Sequence, residues 1–324
     1  MRAIAVDRWM DPSELRVSEI PEPKAGPAEL LVEVRAAGCN FFDLLIVQGK
    51  YQIKPAFPFT PGGEIAGVVR QVGEGVDGFA VGDRVLAWTR TGGYAELALA
   101  RACNAFHLPD AMSFDDGAAI PIVYPTAFAA LVFRAGLEAG ETLLVHAAAG
   151  GAGSAAVQIG KALGARVIAT AGGAEKLAIA RGLGADEVID YQQQDLVARV
   201  NELSEGRGAD VIYDSVGGDV FDRSLRCIAW NGRVLIVGFA SGRIPELKLN
   251  RVLLKNISVC GIHWGAYPEH EPEKVSQAFG AVLGLYRQGL IRPLIFGSYA
   301  LEQLPAALAA LASRRTHGKL IIHP

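Results

Sequence analysis

One pattern dominates the middle of the chain: an apolar strand, a glycine turn and an alanine-rich helix, repeated. "TLLVHA" leads into "GSAAVQIGKALGA", "RVIATA" into "AEKLAIARGLGA", "EVIDY" into "DLVARVNELSE", and "ADVIYD" into "DVFDRSLRCIAW". Strands rich in Val and Ile that alternate with helices need right-handed crossovers, and these produce a parallel sheet with helices on both faces. "GRVLIVGFA" and "ISVCGI" read as further strands of that sheet. The expected fold class is α/β, a doubly wound parallel (Rossmann) sheet joined to a β-rich domain.

The flanking regions carry a different period. Up to about residue 122, short β-rich runs ("LLVEVRAAG", "GEIAGVVRQVG", "GDRVLAW", "GGYAELALA") are separated by Gly, Pro and Asp turns, which predicts a small, strongly bent β assembly. Helical spacing takes over near Pro125 in "PTAFAALVFRAG" and stops at Gly136. The tail reads as helices around 272–288 and 304–314 and a closing strand in "GKLIIH". The expected division is a β domain over 1–122, a nucleotide-binding domain over 123–262, and a return segment over 263–324 that completes the first.

Composition narrows the functional classes. A chain of 324 residues, 51% hydrophobic, is long enough for two cores. A formal net charge of -3 gives no general attraction to nucleic acid or to an anionic membrane. No apolar run approaches the roughly 20 residues of a membrane-spanning helix. "MRAIAVDRWM" lacks the apolar core of a secretory signal, so a cytoplasmic protein is expected. Cys39, Cys103, Cys227 and Cys260 lie far apart with no CxxC pair, which speaks against a disulfide framework or a structural zinc.

"HAAAGGAGSAAVQ", residues 146–158, contains almost nothing that could do chemistry itself. A phosphate-binding turn needs small residues so that backbone N–H groups approach a pyrophosphate, with the positive end of a helix behind them. Gly150, Gly151 and Gly153 meet that demand, although Ala148 stands where G-x-G-x-x-G has its first glycine. The same glycines also suit a tight turn that touches no ligand. Their place at the head of consecutive βα units favours dinucleotide binding. The second strand, "RVIATAGG", ends without the carboxylate that holds an adenosine ribose; Gly172 and Gly173 leave room, and Lys176 follows within reach of a 2′-phosphate. That pattern favours NADPH over NADH, while Lys176 also reads as a solvated helix lysine.

These residues and their flanks ("AAGCNFFDLLIVQGKY", "FPFTPGGEIAGVV", "VGDRV", "HAAAGGAG", "VIDY", "DSVGG", "GFASG", "HGKLIIHP") resemble the medium-chain dehydrogenase/reductase superfamily, and within it the zinc-free NADPH:quinone oxidoreductases. The resemblance implies a chaperonin-10-like β domain built from both chain ends, and a homodimer paired near "ISVCGIHWG". Zinc-dependent relatives carry a cysteine where Asn40 stands and Gly-His-Glu where this chain has Gly62-Gly63-Glu64. Cys39, one place from the ligand slot, reads as a small buried residue. A tetrahedral catalytic zinc site then lacks its usual ligands.

Loss of the Lewis acid shifts the expected substrate toward small electrophiles that need no metal: quinones, or alternatively enones and enoyl thioesters with an activated C=C bond. The resemblance places Asn40 against the nicotinamide or substrate and Tyr51 in the cleft, where its hydroxyl could donate to a substrate oxygen or its ring could only wall the pocket. It implies cofactor contacts at Thr126, Gly150, Gly151, Ala152, Gly153, Gly172, Gly173, Lys176, Tyr191, Ser215, Val216, Phe239, Ser241 and Arg314. Ala152 replaces the valine usual in the family's turn, a change expected to loosen packing more than phosphate contact. Asp43 is expected to cap the helix beginning beside it. A third reading, from another class, is an NADPH-binding structural or RNA-associated protein; the acidic balance and lack of a basic aromatic platform argue against RNA.

Overall fold

Strand Glu29–Cys39 organises the first of two units in the structure, a computed structural model describing residues 1–324. This unit comprises Met1–Ile122, Gly265–Leu283 and Pro293–Pro324; the second comprises Val123–Trp264 and Gly284–Arg292. The strand is 11 residues long and is interrupted by register shifts between Leu31 and Val32 and between Val34 and Ala36. Such bulges bend a strand. One edge pairs with Glu64–Val72, while the other serves two partners: Leu97–Arg101 along its start and Lys319–His323 along its end. The sheet runs Ile295–Ala300, Lys319–His323, Glu29–Cys39, Glu64–Val72, Arg84–Trp88, Ala105–His107. Its core gathers Leu30, Val32, Ile65, Val69, Val85, Leu320 and Ile322, each contributing about 1.5–3 kcal/mol on burial.

Register sets the chemistry of this unit. Leu320 lies opposite Cys39, so Lys319 falls beside Asn40, the residue that ends the strand; Ala37 lies opposite Ile65, which brings Glu64 across from Gly38.

The second unit is the parallel sheet that the strand–helix alternation predicts. Six strands run in the order Glu187–Asp190, Arg166–Ala171, Thr142–Val145, Ala209–Asp214, Ile228–Ile236, Ser258–Gly261. The first strand in sequence, Thr142–Val145, is central, and the order reverses between it and Ala209–Asp214, the switch point at which doubly wound sheets hold ligands. Helix Val123–Phe128 continues into a wider π-turn over Ala129–Arg134, with the Ala135 N–H donating five residues back to Ala130 O before left-handed Gly136. The continuous helical spacing of "PTAFAALVFRAG" did not reveal that widening. No helix is long and apolar enough to cross a membrane.

Candidate active site

In the first unit, charge gathers where none is solvated. Asp43 and Glu64 are fully buried, Lys319 is 3% exposed and Asn40 7%. A buried charge is tolerated only when paired and hydrogen-bonded, and each partner can be named. The Lys319 ammonium donates to Cys39 O, to Asn40 Oδ1 and to Glu64 Oε1, all at 2.6 Å. Asn40 Nδ2 donates to Glu64 Oε1 at 2.7 Å, and the Ile122 N–H donates to Glu64 Oε2 at 2.8 Å. Lysine has donors only, so its contact assigns Asn40 Oδ1 as the acceptor and turns Nδ2 toward Glu64. Gly38 makes room: a Cβ there would lie 2.5 Å from Glu64 Oε1.

A second carboxylate sits next door. Helix Phe41–Val47 starts at Asn40, and Asp43 in its first turn accepts from the Asn40 N–H at 2.8 Å, the capping contact expected from sequence. Tyr94 O–H donates to the same Asp43 oxygen at 2.7 Å, while Asp43 Oδ1 is buried without a partner. Burial pushes the Asp43 carboxyl up to about 7 against the hydrogen bonds from Tyr94 and Asn40. Burial likewise lifts the Cys39 thiol to about 12, with the Asp43 charge adding to it, so Cys39 is held as a thiol. Tyr51 is half-buried and lies tilted against Phe42, ring centroids 5.5 Å apart; desolvation first, and the Asp43 charge second, raise its phenol pKa.

The second unit builds its site from backbone. Strand Thr142–Val145 leads through His146 into left-handed Ala147, and helix Gly151–Ala162 begins after Gly150. A Cβ on Gly153 would press on the Ala147 carbonyl, 2.7 Å from its carbon, so the turn closes only over glycine. The first-turn amides of Gly151, Ala152 and Gly153 have no acceptor within the helix, which makes this end a ready anion cradle. His146 is buried between Thr170 Oγ1 (3.1 Å) and Ser224 Oγ (2.8 Å), and burial lowers its pKa; it packs, as expected of a strand-end histidine.

The other residues singled out from sequence divide between the two units. Thr126 belongs to helix Val123–Phe128, and Gln158 of the cradle helix donates to the Tyr124 hydroxyl of the same helix at 2.9 Å. Gly172 and Gly173 follow strand Arg166–Ala171; a Cβ on Gly172 would meet the Tyr191 hydroxyl at 2.9 Å, so Tyr191 overlies this glycine, and Lys176 lies in the next helix, Ala174–Gly182. Ser215 and Val216 follow strand Ala209–Asp214, with Asp214 Oδ1 accepting from the Val216 and Gly217 amides at 2.8 Å. Backbone bonds from Ala240 to Ser215 O and from Ser241 to Val216 O tie them to the turn containing Phe239. Asn40, Tyr51 and Arg314, by contrast, are in the first unit, Arg314 in a left-handed turn after helix Leu304–Ala312.

Lys319 carried no role in the sequence reading, although a lysine opening the apolar strand "KLIIH" is a signal that a buried partner must exist.

Comparison with known proteins follows this division. Residues 26–110 match the alcohol dehydrogenase GroES-like domain, and residues 151–281 match the zinc-binding dehydrogenase domain. The chain is 40% identical over 301 residues to a quinone oxidoreductase-like protein 2 homolog of Nematostella vectensis, covering 92% of this chain and 82% of that one. The Escherichia coli quinone oxidoreductase complexed with NADPH superposes with a TM-score of 0.92 at 33% identity over 100% of both chains. The CurK enoyl reductase superposes at 0.90 with 26% identity, covering 99% of this chain and 98% of that one.

The zinc named for the second of those domains does not fit the donors present. Zinc takes thiolate, imidazole or carboxylate ligands. Position 40 offers a neutral amide oxygen already bonded to Lys319, and Glu64 is the ion-pair partner of that lysine. At position 63 the side-chain direction runs into Phe42, whose Cζ a Cβ would meet at 2.7 Å. No three His, Cys, Asp or Glu side chains converge elsewhere. In sequence, in fold and in this donor set, the chain belongs to the zinc-free quinone oxidoreductase family of the medium-chain dehydrogenase/reductase superfamily.

Proposed function

We propose that the protein is an NADPH-dependent, zinc-independent reductase of quinones. The observation that carries this reading is the Asn40–Glu64–Lys319 network: the side chain at one metal-ligand position is bound to a lysine and to the glutamate beside the other position, a glycine, which supports an acceptor electrophilic enough to need no Lewis acid. Bound NADPH supplies a hydride equivalent from its nicotinamide. The chain's own part is binding and orientation. The amides of Gly151, Ala152 and Gly153 hold the pyrophosphate from the N-terminus of a 12-residue helix. Lys176 and Tyr191, beside Gly172 and Gly173, take the 2′-phosphate. Thr126, Ser215, Val216, Phe239 and Ser241 steady the nicotinamide half. Tyr51, a phenol that burial makes still harder to ionise, donates a hydrogen bond to the acceptor oxygen as negative charge grows there. Asn40 lines the acceptor side with an amide whose orientation is already set.

The structural likeness to an enoyl reductase favours one second reading, reduction of a C=C bond conjugated to a carbonyl. Edge strand Ser258–Gly261, paired within the chain only to Ile228–Ile236, supports a homodimer joined along that edge. Initial rates with NADPH on a panel of quinones, enones and enoyl-CoA thioesters test the function. Turnover of quinones is expected; turnover of C=C substrates alone would replace the quinone reading with the second one.

A further inference from the structure

Lys319 is joined to the site by chemistry that neither the domain matches nor the relatives' names describe. Its ammonium reaches the two side chains, Asn40 and Glu64, that stand at or next to the ligand positions of zinc-binding relatives. It comes from the far end of the chain, 279 residues after Asn40, and sheet register alone delivers it there. All three of its bonds are to acceptors within this cluster, and it is nearly without solvent contact, so its charge is little screened by water there. We propose that Lys319 is a positioning residue for the reaction, a fixed internal cation that locks the Asn40 amide in one orientation and holds Glu64 against it, where relatives place a metal.

Two bonds set that orientation. With Oδ1 bonded to Lys319, Nδ2 is directed to Glu64 Oε1; its remaining contact within the protein is long, 3.5 Å to Gly38 O. Without the ammonium, the amide can turn over by exchanging its oxygen and nitrogen, and Glu64 is left buried as an uncompensated anion. Asp43, Tyr94 and Cys39 are the other titratable groups packed on the cluster, and none of them is a cation. The inference rests on the reductase reading, in which Asn40 faces the acceptor.

A double-mutant cycle with Lys319→Met and Asn40→Ala tests it, because a residue that acts through another loses its effect when the other is absent. The cycle is read by kcat and KM with a quinone, by NADPH affinity from fluorescence titration without acceptor, and by thermal unfolding. In the Asn40 background, Lys319→Met is expected to lower kcat by about tenfold or more while NADPH affinity changes less than about threefold. In the Asn40→Ala background the same substitution is expected to change kcat by less than about threefold. Equal losses in both backgrounds, or full activity in Asn40→Ala, overturn the positioning role and leave the reductase reading intact. An activity-independent readout separates the two ideas: solvent exchange of the Asn40 side-chain amide protons by NMR, slow in the parent chain and fast in Lys319→Met. Slow exchange in both overturns the inference whether or not any acceptor is reduced. A parent chain that turns over no acceptor, with the expected exchange difference, overturns only the reductase reading.

Discussion

In the Rossmann unit the turn Gly150–Gly153 offers a ligand only backbone amides and the end of a helix, whereas around Asn40 in the β-rich unit the side chains of Asn40, Glu64 and Lys319 are engaged by one another. The first arrangement depends on volume, because one methyl group in the wrong place closes it. The second depends on charge, because its members are buried and must balance one another. A ligand cradle and a positioned amide can therefore be broken by different substitutions, and each kind should leave the other unit nearly untouched.

The largest effect should come from the charged cluster. Glu64→Ala leaves the Lys319 ammonium buried without its counter-ion and should cost about 3–5 kcal/mol in urea denaturation. A loss below about 1 kcal/mol would show the pair to be solvated, like an ordinary surface bridge. Next is the pH response of Asp43, whose folded pKa is raised from 3.8 to about 7. A raised carboxyl contributes stability that is complete below 3.8 and is lost as pH rises through about 7, at about 1.4 kcal/mol for each pKa unit before screening. Asp43→Asn mimics the protonated acid, so parent and variant should diverge toward high pH, with the parent the less stable of the two relative to their acid values. Parallel curves would contradict the assignment.

Volume governs the other unit. Gly153→Val drives a side chain into the Ala147 carbonyl and should cost about 1–3 kcal/mol while weakening NADPH binding, with little change in the cluster around Asn40. Lys176→Ala should have the smallest effect on folding, within about 0.5 kcal/mol. Its readout is selectivity: loss of one charge-assisted contact should weaken NADPH by about tenfold and leave NADH unchanged. Equal weakening of both coenzymes would remove the 2′-phosphate role.

The same contrast explains what could be read without coordinates. The parallel sheet was legible because each strand and helix announces itself within a dozen residues, and Gly150, Gly151 and Gly153 do so within four. Cys39 reads as a small buried residue and is one, 2% exposed. The π-turn over Ala129–Arg134 was hidden, since its apolar spacing is that of an α-helix. The charged cluster was hidden for a deeper reason. Asn40, Glu64 and Lys319 meet through strand register, and no local pattern tells which residue 279 positions downstream lies opposite Asn40. Gly38 likewise looks like one more glycine until Glu64 is placed across from it. Asn40 was singled out as a residue facing the nicotinamide or substrate; the geometry adds that its orientation is held by a lysine and a glutamate.

The most direct measurement is zinc content and NADPH-driven quinone reduction on one sample, before and after exhaustive chelation. Charge pairing in place of a metal predicts zinc far below one atom per chain and an unchanged rate. Zinc at one per chain, with a rate that falls on chelation and returns on adding zinc back, would contradict it.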